Sequence, residues 1–296
     1  MSHESFEDYL KQRQLRESTV KGHLQDIRRF KKWCEGKSIN YKQTTYNELL
    51  EFIRNTRARG VSKSSVNIHL NSIGKYYDYL IVTGQKTVTS GGDEANPAKE
   101  LRLNNRGKKV MQHLLAPREL EDIYDNYTNK PEWSFYKEKS KHTHRKNTVI
   151  LGLIVYQGIR TPELRKLEKT HLNLLQGTVY IPSTSRSNSR ILKLNSSQII
   201  PIQQYLQSIQ KNQERLFTVN ISNSMFWLMK ILKKHDDRIK NGAQLRSSVI
   251  MNWLKQQNIR QVQYMAGHRH ISSTEKYKQE DLQDLQLQLN LFHPLK

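Results

Sequence analysis

The chain has 296 residues, more than one hydrophobic core usually organises, so two domains are expected. Its 49 Lys and Arg face 27 acidic residues, a formal charge of +22 that calls for a polyanionic partner and favours nucleic acid. No apolar run approaches the roughly 20 residues that span a bilayer, and the opening residues lack a secretory apolar stretch, so the expectation is no membrane partner and a cytoplasmic, nucleoid-associated protein.

In chain order, Ser18 precedes Val20, Leu24, Ile27, Phe30 and Cys34 at three- and four-residue steps, which predicts an amphipathic helix capped by Ser18. Cys34 is the only cysteine and sits in that apolar pattern, so a buried thiol is expected. Further helices are predicted over Tyr46 to Ile53 and Ser64 to Leu80. Tyr76, Tyr77 and Tyr79 could stack on bases, but aromatic residues at helical spacing more often form core. Residues 1–82 thus read as an all-helical bundle within a first domain over 1–95, with Lys63, Ser65 and His69, at the start of a helix after a turn, as candidate DNA contacts. From Thr83 the pattern lapses into Gly91, Gly92, Asn96 and Pro97, then Arg102, Arg106, Lys108 and Lys109. A basic linker over 96–113 is predicted, with Arg102, Lys108 and Lys109 available to the phosphate backbone. Residues 1–100 carry 17 basic and 12 acidic side chains, which leaves +17 for the remainder.

A second domain is predicted over 114–280. Pro117 opens a helix through Leu120 and Tyr124, and Thr128 to Asn147 is polar enough for a long loop or a peripheral helix. Thr148 to Tyr156 reads as a buried helix. Thr178 to Ile181 and Arg190 to Leu194 read as two strands around the polar turn Ser183 to Ser189. Helices follow, and Leu282, Leu285, Leu289 and Phe292 form a last apolar stripe in a tail over 281–296. The fold class is mainly α with a small β-hairpin.

Four separated pieces of the second domain carry chemistry: Gly158-Ile159-Arg160-Thr161-Pro162-Glu163-Leu164, Gln244-Leu245-Arg246, Ala266-Gly267-His268 and Thr274-Glu275-Lys276-Tyr277. Arg246 precedes His268 by 22 residues, and His268 precedes Tyr277 by 9. Side-chain attack on a phosphodiester builds negative charge on the non-bridging oxygens, which pre-placed donors must meet. Arginine's charged planar fork suits that task, so Arg160 and Arg246 are the candidate clamp. Tyr277 is the candidate nucleophile, and a phenol with a pKa near 10 needs cationic neighbours or a base to attack at neutral pH. His268 is placed to donate a hydrogen bond to the phosphate or to assist proton movement.

In order and spacing these pieces resemble the tyrosine recombinases of the phage integrase type, and the resemblance extends over nearly the whole chain. It implies a SAM-like helical core-binding domain ahead of a tyrosine-recombinase catalytic domain, a 3′-phosphotyrosyl intermediate with a free 5′-hydroxyl, and no cofactor. It further implies double-stranded DNA as partner, a tetramer in the synaptic complex, a tail helix exchanged between subunits, an accessory DNA-bending protein and a mobile-element role. Two positions depart from the family pattern. Ala243 stands where a histidine is common, and His235-Asp236-Asp237-Arg238 mimics that motif at the wrong distance. The hairpin turn has no lysine to protonate the departing 5′-oxygen, with Arg186 and Lys193 as weak substitutes. These departures keep open a DNA-binding regulator of the same fold, and the chemistry keeps open a type IB topoisomerase or telomere resolvase. His142, His144, His268 and His270 lack the ligand set of a zinc site, so no metal is expected.

Overall fold

A computed structural model describes residues 5–86, 96–104, 114–129, 137–218 and 220–277. They fall into two compact units, 1–109 and 110–296.

The first unit holds α1 (Phe6–Gln12), α2 (Glu17–Glu35), α3 (Tyr46–Ala58) and α4 (Lys63–Val82). Local chemistry sets their starts: Ser5 accepts from Asp8 N, Thr45 and Glu48 form a reciprocal capping box, and Ser62 accepts from Ser65 N. α2 departs from the sequence expectation, since Arg16 is its N-cap and Ser18 lies inside the first turn. Glu17 there pairs with Lys21 one turn on, so an exposed ion pair rather than a side-chain cap marks that end. The short α1 escaped sequence reading because seven residues show too little period. It buries Phe6, Tyr9 and Leu10, and Phe6 meets Tyr76 edge-on at 5.1 Å. Tyr76, Tyr77 and Tyr79 are all core, and the Tyr77 hydroxyl donates to Tyr41 O at 2.8 Å. Cys34 is fully buried, and that burial pushes its thiol up to about 11.

The expected linker begins later than its composition suggested. Residues 96–104 belong to the first unit: Ala98 and Leu101 enter its core, and Asn96 Nδ2 donates to Gly74 O at 2.9 Å. Asn67 then exchanges two hydrogen bonds with the Leu103 backbone. Arg102 is exposed on this packed segment, whereas Arg106, Lys108 and Lys109 lie outside the described residues.

The second unit runs α5 (Pro117–Asn129), α6 (Lys137–Val155), α7 (Thr161–Leu164), a 3-10 turn (Lys169–His171), β1 (Leu172–Asn173), β2 (Thr178–Ile181), β3 (Arg190–Lys193), α8 (Ser196–Ser208), α9 (Ile221–His235), α10 (Gly242–Gln256) and α11 (Ile259–Ala266). The strands form one antiparallel sheet in the order β1-β2-β3, with Ile181 opposite Arg190 and Thr178 opposite Lys193. β1, with two residues, is too short to signal itself in sequence. The helix expected from Thr148 is the inner end of α6, which starts at Lys137. Its polar stretch packs through histidine rings: His142 meets Tyr205 at 5.7 Å and His144 stacks on Tyr127 at 5.0 Å. Ile150, Leu151, Leu153 and Ile154 of α6 sit at the centre of the core. The fold is mainly α with a small antiparallel sheet, as the sequence indicated. No helix among the described residues is long and apolar enough to cross a membrane. The tail over 281–296 lies outside the described residues.

Candidate active site

Arg246 is the centre of the site. It lies in the first turns of α10, whose Asn241 N-cap accepts from Gln244 N at 2.9 Å, and it is 5% exposed. Its Nη1 donates to Gly158 O, and its Nη2 donates to Ala266 O at 2.7 Å and to His268 Nε2 at 3.3 Å. Gly158 has φ 56°, a left-handed conformation that glycine adopts without penalty, and so presents this carbonyl to the guanidinium. Arg246 Nε is buried and has no hydrogen-bond partner among the described residues. Burial, then the charge of Arg160, pushes the Arg246 pKa down, while Glu163, 4.0 Å away, pulls the other way. The guanidinium stays charged.

Arg160 is the N-cap of α7, with its backbone N–H donating to Glu163 Oε2 at 2.8 Å. The same carboxylate receives Arg190, whose Nη1 and Nη2 lie 2.7 and 3.2 Å from its two oxygens, and both side chains are fully buried. Burial raises the Glu163 pKa, but the Arg190 hydrogen bonds and charge outweigh it and leave the carboxyl below its ordinary range. One arm of Arg190 reaches further, with Nε donating to Met265 O at 2.7 Å. This pair was not singled out in the sequence. The available signal was an arginine at an inward position of β3, where burial alternates, facing an Arg-x-x-Glu element.

His268 follows Gly267, which ends α11 at φ 67°. A Cβ on Gly267 would run into the Arg190 guanidinium and lie 3.1 Å from Asn188 O. His268 is 3% exposed and shares a 2.9 Å hydrogen bond between Nδ1 and Thr274 Oγ1. Since Arg246 can only donate, the Nε2 contact makes that nitrogen the acceptor and puts the ring proton on Nδ1, which donates to Thr274. Burial first, then Arg246 and Arg160, push His268 down to about 4, so it is neutral at pH 7. In this state Nε2 accepts rather than donates, so of the two expected roles the arrangement does not display the donated hydrogen bond. Tyr277 is half-buried and stacks on the His268 ring, with centroids 6.0 Å apart and planes 9° from parallel.

Arg160, Arg246 and Tyr277 line one cavity of about 740 Å³. Ala243 lines it too, as do Lys230, Lys233 and Lys240. Arg238 of the His235 mimic lies apart, on the surface, where it pairs with Asp236 and Glu119. Arg186 is on the exposed turn. Lys193 is on the solvent face of β3, opposite to Arg190 and three residues from it. In the first unit Lys63 is exposed, Ser65 shares a hydrogen bond with Ser62, and His69 Nε2 sits 3.6 Å from Asp26.

Comparison with known proteins gives the same picture. Residues 113–283 match the phage integrase family, and residues 4–84 match its N-terminal SAM-like domain. A TnP I resolvase from Bacillus thuringiensis is 23% identical, covering 92% of this chain and 93% of that protein. A tyrosine recombinase from Pseudothermotoga lettingae is 24% identical, over 93% and 92%. The XerH site-specific recombinase, solved on a palindromic difH substrate as a post-cleavage complex, shares the fold at a TM-score of 0.69, with 15% identity over 92% of this chain and 79% of that one. With more than half its length matched to the catalytic family and its opening residues to the accompanying domain, the chain belongs to the phage integrase family.

Proposed function

We propose that this protein cleaves and rejoins double-stranded DNA at a specific site, with Tyr277 attacking a backbone phosphorus and Arg160 and Arg246 holding its non-bridging oxygens. The observation that carries this reading is Arg246: a buried cation fixed by two backbone carbonyls, with its Nε–H unpartnered among the described residues, in a cavity that Tyr277 also lines. Donors fixed before the reaction stabilise the charge that develops in it without reorganising at that moment. The product is a 3′-phosphotyrosyl link that keeps the energy of the phosphodiester, so a second 5′-hydroxyl can attack it in the rejoining step. His268 positions Arg246 and packs against the Tyr277 ring. Glu163 and Arg190 act one layer further out, orienting the Arg160 turn against β3.

Strand exchange between two duplexes uses four such sites, so a tetramer assembles on DNA, and a mobile-element integrase or resolvase is the biological role we favour. Lys63, Arg102, Lys108 and Lys109 contact the backbone in this reading, and a DNA-bending partner assists assembly. The test is a nicked suicide duplex carrying the target site. Wild type is expected to accumulate a covalent adduct and Tyr277→Phe none; an adduct that persists in Tyr277→Phe sinks the assignment. A second reading, a DNA-binding regulator that has lost cleavage, draws on Ala243 and the lysine-free turn. It requires specific DNA binding with no adduct from wild type.

A further inference from the structure

β3 is the outer strand of its sheet, so its far edge carries backbone groups that β2 does not take up. No fourth strand covers that edge among the described residues; the end of α11 and the turn after it do so instead. Ile191 N donates to the Tyr264 hydroxyl at 3.1 Å, Arg190 Nε to Met265 O at 2.7 Å, and Asn188 N to Gly267 O at 3.0 Å. Arg269 Nη2 then donates to Thr184 O at 2.9 Å. Along these contacts the hairpin positions fall from 191 to 184 while those facing them rise from 264 to 269, the sense of an antiparallel partner.

His268 lies inside this run of contacts and makes none of them. Its backbone is tied to α11, with N donating to Gln263 O at 3.0 Å and O accepting from Gln263 Nε2 at 3.3 Å. Its ring meets Arg246, Thr274 and Tyr277. The two inner contacts, at Met265 and Gly267, use backbone carbonyls next to the buried Arg190. The two outer ones are made by surface side chains, Tyr264 before His268 and Arg269 after it. Tyr264 is 53% exposed, so burial of its ring contributes little and its hydroxyl is what ties it to β3. Neither side chain lines the cavity shared by Arg160, Arg246 and Tyr277, so an effect on cleavage must pass through His268.

Resting on the proposed cleavage reaction, we infer that Tyr264 and Arg269 are positioning residues for cleavage: they clasp the hairpin on either side of His268 and so hold its ring against Arg246 and Tyr277. Water readily replaces a partner lost from a surface hydrogen bond, so stability depends little on either contact. Reacting groups are less forgiving, since a displacement of about 1 Å can cost about 10²-fold in rate. The rate of adduct formation is therefore the property that the clasp controls.

Single-turnover adduct formation on saturating suicide duplex, paired with nitrogen-15 NMR of the histidine side chains, tests this. Tyr264→Phe, which removes only the hydroxyl, and Arg269→Ala are each expected to slow adduct formation roughly tenfold, with duplex affinity and melting temperature close to wild type. Arg269→Lys keeps a donor and should recover most of the rate. In Tyr264→Phe and Arg269→Ala the His268 titration midpoint should rise from about 4 toward its ordinary 6.5, as the ring leaves its burial and the charges of Arg246, Arg160 and Arg190, which Glu163 opposes. Wild-type rates in both variants would overturn the inference, as would a His268 midpoint unmoved in both. Weaker duplex binding and a shallower salt dependence in Arg269→Ala, at an unchanged saturated rate, would make Arg269 a phosphate contact and overturn its part in the clasp. If wild type forms no adduct, the cleavage reaction itself is wrong, and the His268 midpoint alone then decides whether the clasp holds the ring.

Discussion

Side chain by side chain, the site is a set of buried charges whose partners are backbone atoms and one another. Glu163→Gln removes the carboxylate between Arg190 and Arg246, and breaking a buried pair from one side typically costs about 3–5 kcal/mol. We expect a clear drop in melting temperature together with loss of adduct. His268 gives a pH signature: its pKa is about 4 in the folded chain against an ordinary 6.5, so the unfolded chain binds the extra proton. Stability is therefore full above about 6.5 and declines as pH falls toward about 4, and His268→Asn should flatten that part of a melting-temperature profile. A His268→Asn profile as steep as wild type would locate the acid sensitivity elsewhere. Arg160, Arg246, His268 and Tyr277 were legible in the sequence because spacing and residue type survive without coordinates. Glu163 and Arg190 were not, since an Arg-x-x-Glu pattern reads equally as an ordinary helix start, and their pairing spans 27 residues. The direction of the His268 hydrogen bond needed Arg246 beside it and could not be read from order along the chain.

Among the elements, the hairpin and the end of α11 form one joint. Asn188 N donates to Gly267 O at 3.0 Å, Arg190 reaches Met265 O, and Gly267 turns in the left-handed region beneath the Arg190 guanidinium. Gly267→Ala adds left-handed strain of about 1–2 kcal/mol and a collision with Arg190. It should therefore displace His268 and abolish cleavage more completely than it lowers melting temperature. Asn241→Ala, by contrast, removes the cap of α10 without a collision, with an expected loss of about 1 kcal/mol in denaturant unfolding and a smaller loss of adduct formation than Gly267→Ala. Long amphipathic helices and the paired strands were visible from period alone. α1 and β1 were too short to show one, and the polar half of α6 read as a possible loop because its packing runs through histidine rings.

For the molecule as a whole, charge and boundaries make the predictions. With a formal charge of +22, binding to duplex DNA should be dominated by phosphate contacts and weaken steeply with salt, in a log–log titration with a slope of several units. A fragment of residues 1–104 should melt higher than one of residues 1–86, because Ala98 and Leu101 complete the first core. Composition alone placed the boundary too early, since Asn96 and Pro97 look like tether residues while the apolar residues after them dock. Cys34 adds one consequence. It is the chain's single thiol, wholly enclosed in the first unit and disfavoured as a thiolate, so a disulfide reagent can reach it only when that unit opens. The rate of its modification is a natural clock for breathing of the first unit alone, free of signal from the second, and slower ticking upon adding duplex would report that DNA clasps this unit shut.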